Sequence, residues 1–177
     1  DDVGPDTRVL YAQGCHLYKD RTSGLAQADD RISEAKAVCA AADVIVAVVG
    51  LDATIEGEEG DAGNEYGSGD KPNLRLPGLQ QHLLETAASF GKPLIVVTLA
   101  GSALALDWAE EHTAAVVHGS YPGALGGWAL AQLIFGLSDF SGRLPVTFYS
   151  EQNHLPPFED YAMQGRTYRF MQEKPLY

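Results

Sequence analysis

Apolar residues along this chain fall into two kinds of run, and the difference predicts the elements. In "DVIVAVVGL" every position from 44 to 49 is apolar, and "LIVVTL" (94–99) and the start of "AAVVHGSY" (114–121) read the same way. Short runs with no polar alternation suit strands of a parallel sheet covered on both faces. Residues 44–49 are therefore expected as a central strand with helices on each side. A shorter strand is expected over 9–12, leading into Gly14. Between these runs the apolar spacing becomes helical. Ile32, Ala35, Cys39 and Ala42 recur after Asp29 and Asp30, either of which can cap a helix. Leu79, Leu83, Leu84, Ala87 and Ala88 form one stripe; Pro77 suits the first turn, and Gly91 with Pro93 can stop the helix. "LDWAEEH" predicts a brief helix, and "GALGGWALAQLIFG" a further one ending at Gly136.

Strand and helix thus alternate four times, with apolar strands throughout. This predicts an α/β fold: a three-layer α/β/α sandwich with a mainly parallel sheet, flavodoxin-like in coarse order. In such sheets the loops after the strand C-terminal ends are the usual site positions. With 177 residues the chain suits one domain with a sizeable core. Residues 1–150 carry the alternating pattern. Residues 151–177 bring prolines and aromatics without a long helix, and are expected as a wrapping tail or edge strand of the same domain, the strand lying at 167–171.

Charge narrows the choice of partners. The formal net charge is −12, and no Lys/Arg cluster offsets it. Nucleic acid and anionic membranes are repelled by such a surface, so a neutral substrate fits better than a phosphorylated one. No apolar run approaches the ~20 residues that span a bilayer. The start, "DDVGPDTRVL", has neither a basic segment nor an apolar signal core. A cytoplasmic setting is slightly favoured on that ground, although a mature or excised chain of a secreted protein reads the same. Cys15 and Cys39 make neither metal spacing nor a disulfide framework, and Cys39, among alanines, reads as a small buried residue.

Familiar chemical motifs fail in turn. No G-x-G-x-x-G follows a strand, and no glycine-rich loop ends in Gly-Lys-Ser/Thr. The glycines of "GALGGW" could open an anion site at a helix start, but close helix packing is the simpler reading. Ser102 and Ser120 follow strands, yet neither sits in a G-x-S-x-G elbow. His118 reads as a core or rim histidine, and His82 and His112 as structural or exposed. No His/Cys/carboxylate set has zinc spacing.

What remains is "GLDATIEGEEGD", which places Asp52, Glu56, Glu58, Glu59 and Asp61 in one loop after an apolar run. Three readings stand. It is a solvated acidic connection; or a calcium site, although the spacing from Asp52 to Asp61 does not match the twelve-residue EF-hand pattern; or the address of a proton donor. In the last case one of Glu56, Glu58 and Glu59 is the acid, its pKa raised by its neighbours' charge.

Several segments, taken together, resemble the C-terminal α/β domain of glycoside hydrolase family 3, the β-glucosidase and β-xylosidase family. They are "YAQGC", "VIVAVVGLDATIEGEEGD", "LRLPGLQQHLL", "KPLIVVTLAGSALAL", "YPGALGGWALAQLIFG", "SGRLPVTF" and "GRTYRF", in the family's order and over nearly the whole chain. The resemblance implies a domain that packs against a separate N-terminal barrel of the same parent enzyme, which supplies an aspartate nucleophile and most of the sugar pocket. It implies retaining hydrolysis of terminal β-linked sugars, such as β-glucosides or β-xylosides, with no organic cofactor and no general metal requirement. The family's loop glutamate, a general acid/base, falls on Glu56, with Glu58 the second choice; Asp52 and Asp61 would shape the loop or contact sugar hydroxyls. Ala62 stands where many relatives carry an arginine after the aspartate. No segment resembles the barrel, so the chain reads as an excised or truncated domain without a nucleophile, inactive by itself and expected to self-associate through an apolar face. Outside this family, the rival reading is a non-catalytic, carbohydrate-associated α/β binding module with a calcium-loaded acidic loop.

Overall fold

Three of the apolar runs assemble into one parallel sheet: β1 (Ile45–Gly50), β2 (Leu94–Leu99) and β3 (Ala115–His118), in that spatial order. The structure, a computed structural model, describes residues 3–19, 30–53, 55–57, 71, 73–151, 153, 155–157 and 159–177. Helices α1 (Asp30–Ala41), α2 (Gln80–Ala88), α3 (Asp107–His112) and α4 (Gly126–Ile134) connect or follow the strands. Register pairs Ile45 with Leu94 and Gly50 with Leu99, and Thr98 with His118. The three strands therefore end in step, and the loops after them leave from one edge of the sheet.

The period-two geometry of a strand decides which side chains meet the helices. Ile45, Ala47 and Val49 of β1 join Leu94 and Val96 of β2 in one cluster with Leu84 and Ala87 of α2 and Cys39 of α1. Leu104, Leu106 and Ala109, at the start of α3, extend the same core. Burying each large side chain here stabilises the fold by roughly 1.5–3 kcal/mol. Near the opposite face, α4 brings Leu130 close to the end of β3: a methyl at Gly119 would lie 2.8 Å from Leu99 Cδ2 and 3.4 Å from Leu130 Cδ1. The sandwich is thus an α/β/α arrangement around a parallel sheet.

The helix stops fall at the glycines. Gly91 (φ +66°) donates to Ala88 O, and Gly136 (φ +70°) to Leu133 O, both in the left-handed turn that a side chain would strain. A lysine secures the end of α1. Lys92 Nζ donates to the carbonyls of Cys39 and Ala40 at 2.7 Å each, and to that of Ala42. Its charge sits where the helix dipole is negative.

Some expectations need correction. Among the described residues, 44–49 do not form a central strand: β2 takes the centre, β1 lies at the edge, and Val44, Val46 and Val48 are 52%, 45% and 59% exposed. Helices cover only the other face of β1 among the described residues. Residues 9–12 are irregular, with Val9 and Tyr11 exposed, because a strand exists only where a ladder partner completes it. Three strands stand in the described residues, where four alternations were expected. The edge strand expected at 167–171 is a single 3-10 turn, Tyr168–Phe170, closed by local bonds from Phe170 N–H to Thr167 O and Met171 N–H to Tyr168 O. The end of the chain nevertheless returns to the core. Phe148, 1% exposed, exchanges backbone hydrogen bonds with Leu176 and Tyr177. Of the glycines of "GALGGW", Gly126 alone packs closely: a methyl there would lie 2.2 Å from Pro122 Cβ, whereas one on Gly123 or Gly127 would meet nothing within 4 Å.

Candidate functional site

The loop after β1 is shaped before its acidic residues begin. Gly50 takes φ +138°, and a Cβ there would stand 2.0 Å from Leu99 O, so only glycine lets β1 leave this close to β2. Leu51 N–H then donates to Leu99 O at 2.7 Å. A buried amide fixes the junction. Gln80 Oε1 accepts from Gly50 N–H at 2.6 Å, while its Nε2 donates to Gly50 O at 2.7 Å and Leu17 O at 2.6 Å. Ile55 and Glu56 both donate their N–H to Asp52 O at 3.0 Å, closing one turn, and Ile55 plugs the core at 1% exposure. That plug turns the half-buried Glu56 back across the sheet edge.

Glu56 meets the other two strand-end loops there. Its Oε2 accepts from Gly101 N–H at 2.7 Å and from the Tyr121 hydroxyl; its Oε1 accepts from the Ser102 hydroxyl. Gly101 and Ser102 follow β2, and Tyr121 follows β3. Space for this meeting depends on Gly101, where a Cβ would lie 2.8 Å from Tyr121 Cε2 and 3.2 Å from Glu56 Oε2. Ser120, at φ +48°, is the one non-glycine residue with positive φ among the described residues, and the turn it makes sends Tyr121 toward the carboxylate. Lys71 Nζ donates to Ala103 O at 2.9 Å and bears on Glu56 through its charge. His118 sits behind, with Nδ1 3.0 Å from Thr98 Oγ1 and its ring edge-on to Phe148.

The electrostatics follow from these contacts. Burial pushes the Glu56 carboxyl up, but hydrogen bonds from Ser102, Tyr121 and Gly101, with the Lys71 charge, outweigh it and hold the pKa below the ordinary value. The raised acid expected from neighbouring carboxylates is therefore not what Glu56 is in this chain. Burial lowers His118, against a smaller upward pull from Glu56. Burial also lowers Lys71, again opposed by Glu56. Tyr121 is held far above its ordinary range by burial and by its bond to Glu56, with Asp52 adding to the effect, so it stays a donor. Chemically the cluster offers an oriented carboxylate that can accept a hydroxyl or exchange a proton, next to a half-buried ammonium.

Of the residues expected in the site, Glu56 and the exposed Asp52 lie at this edge. Glu58, Glu59 and Asp61 fall outside the described residues. Among those described, no three His, Cys, Asp or Glu side chains converge as a metal group. Sequence reasoning passed over Gly101, Tyr121, Lys71 and Gln80, and weighed Ser102 only as a nucleophile. One signal was there: Gly101, Ser102 and Tyr121 all follow strands of one parallel sheet.

With this geometry in view, comparison with known proteins is decisive about the family. Residues 7–177 match the family model of the glycosyl hydrolase family 3 C-terminal domain. A xylan 1,4-beta-xylosidase of Xylanibacter ruminicola is 40% identical over 125 residues, covering 70% of this chain and 14% of that protein. The probable beta-D-xylosidase 7 of Arabidopsis thaliana is 31% identical over 178 residues, covering 96% of this chain and 21% of that protein. Among solved structures, a family 3 exo-beta-xylosidase in complex with a xylobiose aziridine activity-based probe superposes with a TM-score of 0.65 at 32% identity, over 79% of this chain and 16% of that one. The chain thus spans about a fifth or less of these relatives' lengths. An α/β sandwich of this order, matched along nearly all its length, belongs to glycosyl hydrolase family 3 as that family's C-terminal domain.

Proposed function

We propose that this chain serves a retaining β-glycosidase as the domain that presents the acid/base carboxylate, Glu56, to a sugar site completed by a separate N-terminal barrel. The observation that carries the reading is the position of Glu56: half-buried at the C-terminal edge of a parallel sheet, and oriented by donors from two other strand-end loops. The substrate class is a terminal β-linked xyloside or glucoside, in keeping with the relatives' names. Asp52 and Asp61 contact sugar hydroxyls or shape the loop.

Retaining hydrolysis uses two carboxyls roughly 5 Å apart across the scissile bond. The barrel aspartate attacks the anomeric carbon while Glu56 protonates the departing oxygen; Glu56 then removes a proton from the water that releases the sugar. In this chain the donors to Glu56 and the Lys71 charge favour its ionised form. A nucleophile carboxylate brought within a few ångströms would push its pKa up and load the proton for the first step. The isolated chain, with one carboxyl of the pair, is inactive in this reading.

The test replaces Glu56 by alanine in the enzyme that carries this domain and its barrel, with Glu58→Ala alongside. Expected is retained turnover on aryl glycosides with good leaving groups, loss on poor ones, and rescue by azide. Full activity of Glu56→Ala on poor leaving groups would overturn the assignment, and the same losses in Glu58→Ala would move the role there. Robust hydrolysis by the purified 177-residue chain would contradict the division of the site between two domains.

A further inference from the structure

Glu56 Oε2 and Oε1 are not equivalent. Oε2 accepts two hydrogen bonds, from Gly101 N–H and the Tyr121 hydroxyl, whereas Oε1 accepts one, from Ser102. Each carboxylate oxygen has two lone pairs, so Oε2 is filled among the described residues and Oε1 keeps one position open. The donors to Oε2 come from different strand-end loops and are built in by backbone geometry. One needs the missing side chain at Gly101; the other needs the left-handed turn at Ser120.

We propose that Tyr121 is a positioning residue for proton transfer: by occupying Oε2 together with Gly101, it leaves Oε1 as the atom that carries the proton to and from the glycosidic oxygen. This rests on the acid/base reading of Glu56. The proton balance is simple. Oε1–H is lost to the departing oxygen in the first step and regained from water in the second, while Tyr121 keeps its own proton throughout. The strong upward hold on the Tyr121 hydroxyl agrees with a group that donates and never ionises. The charged and titratable groups facing Glu56 are Tyr121 from the β3 loop, His118 from β3 and Lys71 from the segment before α2; Asp52, on Glu56's own turn, bears on Tyr121. The ionised carboxylate is favoured by hydrogen bonds from Ser102, Tyr121 and Gly101 and by the Lys71 charge.

Tyr121→Phe keeps the ring against Gly101 and removes only the hydroxyl, so it separates hydrogen bonding from packing. In the barrel-containing enzyme it is expected to lower kcat/KM on poor leaving groups about tenfold, the scale of a hydrogen bond to a charged group. The basic limb of its pH profile should move up by about one pH unit, because a carboxyl that loses a donor holds its proton longer. Since Tyr121 acts through Glu56, the same substitution in a Glu56→Gln background is expected to change kcat/KM less than about twofold. An unmoved limb, or an equal tenfold loss in both backgrounds, would overturn the proposal. Failure of the underlying reading looks different: Glu56→Ala would then be fully active and azide-indifferent, and the role of Tyr121 in proton transfer would fall with it.

Discussion

Glu56 and Tyr121 stand 65 residues apart in the chain and meet through a hydrogen bond from the tyrosine hydroxyl to Glu56 Oε2. The bond spans the sheet edge from the loop after β1 to the loop after β3, passing over Gly101 at the end of β2. It joins the two outer strands, which do not pair with each other. A carboxylate on a glycine-punctuated loop is thereby held by a rigid frame that its own neighbours do not supply.

Gly101→Ala should break this frame while removing none of its hydrogen-bonding groups. The added methyl would lie 2.8 Å from Tyr121 Cε2, closer than carbon atoms pack, and 3.2 Å from Glu56 Oε2, so the ring must shift. A loss of about 1–3 kcal/mol in stability is expected, typical of overpacking. Urea unfolding of the chain checks it; an unchanged midpoint would mean that the ring shifts freely.

Gln80→Leu should be destabilising because the amide is buried and fully bonded. The amide is 2% exposed and serves Gly50 N–H, Gly50 O and Leu17 O. Leucine fills the volume but leaves those groups without their partner, at about 1–3 kcal/mol for each that stays dry. The expected readout is a lower urea midpoint together with faster amide exchange at Gly50.

Lys92→Met tests the end of α1. Methionine keeps the aliphatic stem and removes the ammonium from three carbonyls, those of Cys39, Ala40 and Ala42. About 1–2 kcal/mol is expected from lost charge-assisted bonds and helix-dipole stabilisation. Hydrogen exchange should quicken in the last turn of α1 and stay unchanged in α2.

Acid should weaken the fold in two stages. His118 and Glu56 both have folded pKa values below their ordinary ones. Burial lowers the histidine; for the glutamate, donors and Lys71 overcome the upward push of burial. A lowered folded pKa means that the unfolded chain takes up the proton first, so stability is full above the unfolded pKa and is lost as pH falls toward the folded one. The histidine stage begins below about pH 6.5 and the glutamate stage below about pH 4.3. Stability measured in urea from pH 8 to pH 3 should show both, and Glu56→Gln should flatten the lower one. An identical slope below pH 4 in the variant would show that Glu56 carries none of it.

Local pattern was enough to mark the order of the three strands and of the helices between them. Apolar runs marked β1, β2 and β3, a 3.6-residue stripe marked α2, and Gly91 and Gly136 marked helix ends, because each signal is written within one turn or one strand. The acidic loop was legible for the same reason, and its position after a strand pointed to the sheet's C-terminal edge. Tertiary structure decided what no local pattern contains. Among the described residues it placed β1 at the sheet's edge despite an uninterrupted apolar run, since strand order depends on which partners complete the ladder. It also withheld a strand from residues 9–12 and from 167–171. Above all it set the state of Glu56: charge counting along the loop pointed to a raised acid, whereas donors from residues 101, 102 and 121 hold the carboxyl down. Electrostatics falls off with distance in space and not along the chain, so a pKa belongs to the fold.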